Sequence, residues 1–336
     1  MGGAAGCRGG GETVTESQLP TYIELGRRSD APAGSSWGLL GDLGTIGLLT
    51  ADRVRQAASC VVTGQVYNLD YPVNAFDPPP SATRRPTRHH VFQKRPTHRD
   101  DYLDSFYLQG TSQIDGLRHQ GHPDHGFYNG APAEELVAGK GPLGIDSWAE
   151  HGIVGRGVLL DVDRHLRARR GVGLDHATGE SFAHELLDTV ADAQGVELRR
   201  GDIVMLRTGW ARYYFDEMTE AQRQSLPTAL RCSGLAQSGA ALAWLWDRGI
   251  ALLAADNVAV EVVPSIAAQE FTKVSPDRRL HPPVIALLGM PLGELWRLDH
   301  LAEACARDGR YDMLVVASPL NLPGGVGSPA NAVAIR

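Results

Sequence analysis

The apolar positions of this chain gather into short runs separated by longer helical stretches. "CVVTGQVYNL" (60–69) and "GVLLDVD" (157–163) are rich in β-branched and large apolar residues and predict strands. "GDIVMLRTGW" (201–210) is the clearest strand signal: a turn, an apolar run, then Thr-Gly. "SFAHELLDTVADAQG" (181–195) predicts a helix with a serine N-cap and a glycine stop. "GLAQSGAALAWLWDRG" (234–249) predicts another helix ending at glycine, with "IALLAAD" following as a buried strand. "LGELWRLDHLAEACARDG" (292–309), followed by "YDMLVVASPL", repeats that order of helix, glycine and strand. Strands and helices mix without strict alternation, so a composite α/β fold is expected rather than a clean doubly wound sheet.

Two stretches break the pattern. Residues 1–18 are glycine-rich and predict a disordered tail, leaving 19–336 as a single domain. Phe76 to His90, "FDPPPSATRRPTRHH", carries proline at 78–80 and 86 and predicts a long surface loop.

Composition narrows the function classes. The chain has 336 residues, 43% hydrophobic and 21% charged, as an ordinary globular protein does. A net charge of -7 offers no basic field, and basic stretches such as "RRPTRHH" are short, so no nucleic-acid partner is expected. The four cysteines, Cys7, Cys60, Cys232 and Cys305, form no CxxC pair, which argues against a thiolate zinc site and suits a reducing compartment. No apolar run is long enough for a membrane span, and the N-terminus lacks the apolar core of a signal peptide. A cytoplasmic protein acting on a small molecule is the expectation.

"LQGTSQIDGLRHQGHPDH", from Leu108 to His125, concentrates the chemistry. If "SFYLQGTSQID" is a strand, then Gln109, Thr111, Gln113 and Asp115 share one face. Amide oxygens and a carboxylate converging there could bind a hard divalent cation. His119 lies four residues past Asp115, after a turn at Gly116, where it could ligate the ion or act as a base beside it. The plainer alternative is a polar strand edge whose amides are simply hydrogen-bonded.

These residues resemble the cyclase family of metal-dependent hydrolases, which includes bacterial kynurenine formamidase, isatin hydrolase and trans-dienelactone hydrolase. The family motif is H-x-G-T-H-x-D-x-P-x-H. Its last aspartate and histidine fall on Asp115 and His119, and its earlier histidines fall on Gln109 and Gln113. The Gly-Thr pair at 110–111 stands one place early, so the resemblance is to a divergent branch. "GIVGRGVLLD" (152–161), "GDIVMLRTGW", "HPPVIALLGMPLGELWRLDHLA" (281–302) and "NLPGGVGSPANAVAI" (321–335) follow the family's order from about Trp37 onward.

The resemblance implies a swivelling β/β/α fold, with a mixed sheet or barrel-like core and surrounding helices. It implies Asp115 as a metal ligand, His119 as the catalytic acid or base, and His281 with Glu294 as a late pair completing the site. Gln109 and Gln113 stand at ligand positions with neutral oxygen donors, which should favour Mn²⁺ over Zn²⁺. Alternatively Asp115, His119, His281 and Glu294 hold the ion while the amides contact water or substrate, or the metal is lost. His122 and His125 are substitute ligands or plain exposed loop histidines. Hydrolysis would proceed by a polarised carbonyl and an acidified water, with His119 moving the proton. No G-x-S-x-G elbow is present; "GGVGSPAN" does not fit it.

Trp37, Phe106, Tyr107, Trp148 and Trp210 are candidates to line a pocket for a planar ring, or simply core; Trp148 and Trp210, at predicted element ends, are favoured for the pocket. The implied activity opens a cyclic amide or a lactone, or cleaves an aryl formamide, with the lactone preferred by analogy. The alternatives are a metal-free binding or scaffold protein that keeps the fold, and a biosynthetic cyclase or dehydratase. A homodimer or homotetramer is implied by the resemblance alone.

Overall fold

A computed structural model describes residues 19–336; the expected tail at 1–18 lies outside the described residues. Thirteen strands follow in chain order: β1 Val66–Asn68, β2 Arg88–Arg95, β3 His98–Asp104, β4 Gln113–Asp115, β5 Ile153–Asp161, β6 Ser181–Phe182, β7 Ile203–Arg207, β8 Gly234–Leu235, β9 Leu252–Ala255, β10 Leu292–Glu294, β11 Asp312–Ala317, β12 Gly327–Pro329 and β13 Ala332–Ile335. Nine of them form one mixed sheet in the order β1-β13-β11-β5-β7-β9-β10-β4-β12. β5, β7, β9 and β10 run parallel, and antiparallel strands extend the sheet on either side. Helices surround it. This is the mixed α/β architecture expected, with a mixed-sheet core.

The central strands are mostly apolar because both faces are covered. All five residues of β7 and all four of β9 are buried. The helices stop where glycine can turn left-handed: Gly195 ends Glu185–Gln194 and Gly309 ends Asp299–Asp308.

Several boundaries differ from the sequence expectation, each for a local reason. The 60–69 strand shrinks to β1. The 157–163 strand starts earlier, at Ile153, and stops at Asp161, whose carboxylate caps the helix Val162–Arg170 by accepting from Arg164 N. Ser181 is not a helix cap; it pairs in β6 with β8, and the helix begins at Glu185. The helix expected from 234 begins at Gly239, capped by Ser238. The stretch 292–309 is two elements, because Leu292–Glu294 fills the slot between β9 and β4 and the helix starts only at Asp299. The loop expected through His90 ends at Arg88, where β2 and β3 form an exposed hairpin. That hairpin shows no apolar alternation; His89–Asp101 and Lys94–Asp100 ion pairs cross it instead.

Candidate metal centre

The strand expected over 105–115 contracts to Gln113–Asp115, and that changes who shares a face. Gln113 and Asp115 lie on one side, fully buried, with Ile114 turned to the core on the other. Antiparallel pairing sets Gln113 opposite Glu294 and Asp115 opposite Leu292. Gln113 Nε2 donates to Glu294 Oε2 across that pair. The indole N–H of Trp296 donates to Gln113 O at 3.0 Å, which fixes the strand from behind.

Gln109 and Thr111 precede the strand rather than belonging to it. Gln109 sits in a turn, and its amide nitrogen occupies space a Cβ on Gly327 would need, 2.7 Å from that position. Gly327 stands opposite Asp115 in the neighbouring strand, so the Gln109 amide lies over the Asp115 register without sharing its strand face.

After Asp115 the chain turns as expected. His119 N donates to Gly116 O, and a Cβ on Gly116 would come within 2.6 Å of Val326 O, so only glycine fits this close approach. The turn brings His119 Nε2 to 3.6 Å from Asp115 Oδ2, too long for a good hydrogen bond.

His281 and Glu294 arrive from the C-terminal third of the chain. Asp115, His281 and Glu294 each offer a ligand atom, and these atoms lie within 4.8 Å of one another. His281 Nδ1 pairs with Glu261 Oε1 at 2.6 Å and Nε2 with Glu294 Oε1 at 3.0 Å. Glu261 also accepts from Leu280 N, His281 N and Gln237 Nε2. The sequence reading missed Glu261. Its signal was there: a single acid inside the apolar run "NVAVEVVP".

The electrostatics separate the members of the site. Burial, and then the Glu294 charge, push the Asp115 carboxyl well above the usual range. Burial would pull His281 down, but its hydrogen bonds to Glu261 and Glu294 outweigh that and set it at about 10. Burial, and then the charge of His281, hold His119 down at about 3, so its imidazole is neutral.

The donor set fits a divalent cation. Both carboxylate oxygens of Asp115 and the Oε1 of Gln113 are buried with no hydrogen-bond partner. Buried acceptors are almost always satisfied, and three open ones side by side offer the oxygen donors that a divalent cation takes. His281 has the arrangement of a metal-bound histidine, its far nitrogen fixed by a carboxylate.

A cavity of about 410 Å³ opens onto this centre and is lined by His119, His281 and Glu294, with Arg84, Gln120, Arg279 and apolar residues such as Leu230 and Val263. None of the five aromatic residues considered for the pocket, Trp37, Phe106, Tyr107, Trp148 and Trp210, lines it, and the reason is packing. Trp148 and Trp210 are buried, with their indole N–H groups donated to Leu43 O and Arg231 O. Trp37 donates to Ala286 O, and Phe106 is half-buried beside the hairpin. His122, considered as an exposed loop residue, is buried instead and held by Val274 O at 2.7 Å; it stacks on His125. Neither joins the metal-ligand group.

The family model described as "Putative cyclase" matches residues 69–262. A solved structure described as a novel cyclase is 29% identical, covers 90% of this chain and 99% of its own, and superposes with a TM-score of 0.77. Isatin hydrolase A from Labrenzia aggregata is 14% identical, with a TM-score of 0.55 over 84% of this chain and 98% of its own. Isatin hydrolase A from Ralstonia solanacearum is 15% identical, with a TM-score of 0.55 over 80% and 91%. At that identity the two hydrolases share the fold. No curated protein sequence matches the chain.

Proposed function

The chain belongs to the cyclase family, and from that premise we propose that it is a metal-dependent hydrolase that opens a cyclic amide or a lactone, or cleaves an aryl formamide. Among these the lactone is preferred by analogy within the family. The observation that carries the proposal is Asp115, a fully buried carboxylate with both oxygens open beside the open Oε1 of Gln113. Asp115, His281 and Glu294 would hold a divalent ion, with Gln113 as a neutral oxygen donor and Glu261 orienting His281. When bound, such an ion supplies Lewis acidity, which polarises a carbonyl and acidifies water. Gln109, off the strand face, would contact water or substrate. With one imidazole and otherwise oxygen donors, the site would take Mn²⁺ in preference to Zn²⁺.

His119 would move the proton. Nε2 of its neutral imidazole would accept the proton of the attacking water and pass it to the departing nitrogen or oxygen. Cys232 is not a competing nucleophile, since burial raises its thiol far above neutral pH.

A second reading, a metal-free binding protein, has one observation in its favour. His281 bridges Glu261 and Glu294 without help from any ion. It leaves Asp115 unexplained. Elemental analysis of purified protein, joined to a panel of lactone, imide and aryl formamide substrates before and after chelation, decides between them. Bound divalent metal and hydrolysis lost on chelation are expected; full hydrolysis after exhaustive chelation would refute the metal-dependent reading.

We also propose a homodimer or homotetramer in the cytoplasm. The hairpin leaves Val91, Phe92, Tyr102 and Leu103 exposed, as a surface covered by another chain would. No helix of the described residues is long and apolar enough to cross a membrane.

A further inference from the structure

We infer that the substrate of this site carries a carboxylate, and that Arg84 receives it. The inference rests on the cavity beside Asp115 being the substrate site. Two guanidinium groups line that cavity, and they differ in one respect. Arg279 is already neutralised: its Nε donates to Asp277 Oδ2 at 2.8 Å. Arg84 has no carboxylate within ion-pair distance among the described residues. One of its donors goes to the carbonyl oxygen of Gln109, which anchors the side chain, and its other donors have no protein partner there.

Arg84 is half-buried, so its open donors are not freely solvated. Its position is also close to the chemistry, because its charge acts on both Asp115 and His119. A charged guanidinium anchored at one donor and open at the others matches the planar, paired acceptors of a carboxylate. A phosphate dianion is a poorer match. It would face Glu261, Glu294 and Asp277 on the same lining, with one unpaired cation to offset them. The cavity volume suits a small ring bearing one such group. The anionic group would fix the ring at the end away from the bond that is broken, making Arg84 a specificity residue.

The competing explanation is that Arg84 only braces the Gln109 turn. Calorimetry on the Mn²⁺-loaded protein separates the two, and it needs no turnover. The probes are benzoate against benzamide, and benzenesulfonate, a poor metal ligand, against methyl phenyl sulfone. The wild type should bind each anion about 10- to 100-fold more tightly than its neutral partner. Arg84→Met should collapse that preference, and Arg84→Lys should keep part of it. Equal binding of anion and neutral probe by the wild type would overturn the inference. So would a preference that survives in Arg84→Met, which would place the anion on the metal. A parallel loss of both probes in Arg84→Met and Arg84→Lys would assign Arg84 to bracing the turn and would likewise overturn it. Hydrolysis of the substrate panel is scored separately. If no substrate is turned over but the Arg84-dependent preference holds, the hydrolase reading fails and the carboxylate site stands.

Discussion

Two groups of buried carboxylates lie in this molecule, and they are built on opposite principles. Near the ends of β5, β7 and β9 sit Asp161, Asp163 and Asp256, each about 1% exposed, and every one is fully answered by the chain. Arg207 bonds Asp161 at 2.8 Å, Asp163 at 3.3 Å and the half-buried Asp299 at 2.7 Å. Arg164 and Arg167 add further donors to Asp161 and Asp163. Asp256 accepts from Thr208 N, Thr208 Oγ1 and Gly209 N. At the other site, Asp115 is equally buried and receives nothing. The first cluster is complete as folded and holds helix and loop ends to the sheet. The second leaves its acceptors open, as the proposed cation site requires. Burial is the same in both, so the count of open acceptors, not burial, sets the proposed site apart.

The largest expected effect comes from removing the open carboxylate. Asp115→Ala should lose bound metal and turnover together, since the anion that anchors the cation is gone. His119→Ala, by contrast, should keep its metal while turnover falls about 10²–10⁴-fold. Metal content and rate measured on both variants in one buffer check this. If His119→Ala also sheds its metal, His119 is a ligand and the division of roles is wrong.

Arg207→Met tests the other half of the comparison. It removes the cation shared by three carboxylates, two of them deeply buried, so unfolding free energy should fall by about 3–5 kcal/mol, read by denaturant titration. Metal content should stay at the wild-type level. A loss below about 1 kcal/mol would mean that Arg164, Arg167 and water suffice for the cluster.

A smaller effect of opposite sign is expected at the open site. In chelated protein Asp115→Asn removes an uncompensated buried acid, so it should be as stable as the wild type or more stable by about 1–3 kcal/mol. Clear destabilisation would show that Asp115 has a partner in the ion-free chain.

How much of this was legible in the sequence follows from the range of each interaction. The glycine stops at Gly195 and Gly309 and the turn at Gly116 are local and appear where the residues predicted them, while the bounds of the strands and helices shifted with their pairing. Asp115 and His119 were legible through the motif, and the structure brings them together. The Gln109–Asp115 face was not. Periodicity favours one long strand, but pairing with β10 and β12 extends over Gln113–Asp115 only. Glu261 and Arg84 escaped because their roles depend on partners 20 and 25 residues away, His281 and Gln109. Trp148 and Trp210 were misplaced because an aromatic residue near an element end fits core and pocket alike; long-range packing decided for core.

The central claim is that the open acceptors of Asp115 await a cation. Thermal unfolding of chelated protein under Mn²⁺ titration tests it most directly. A ligand at about a hundred times its dissociation constant stabilises the folded state by about 2.7 kcal/mol. The wild type should therefore rise in Tm as Mn²⁺ is added, and Asp115→Asn should not. No rise in the wild type, or an equal rise in both proteins, would contradict the account.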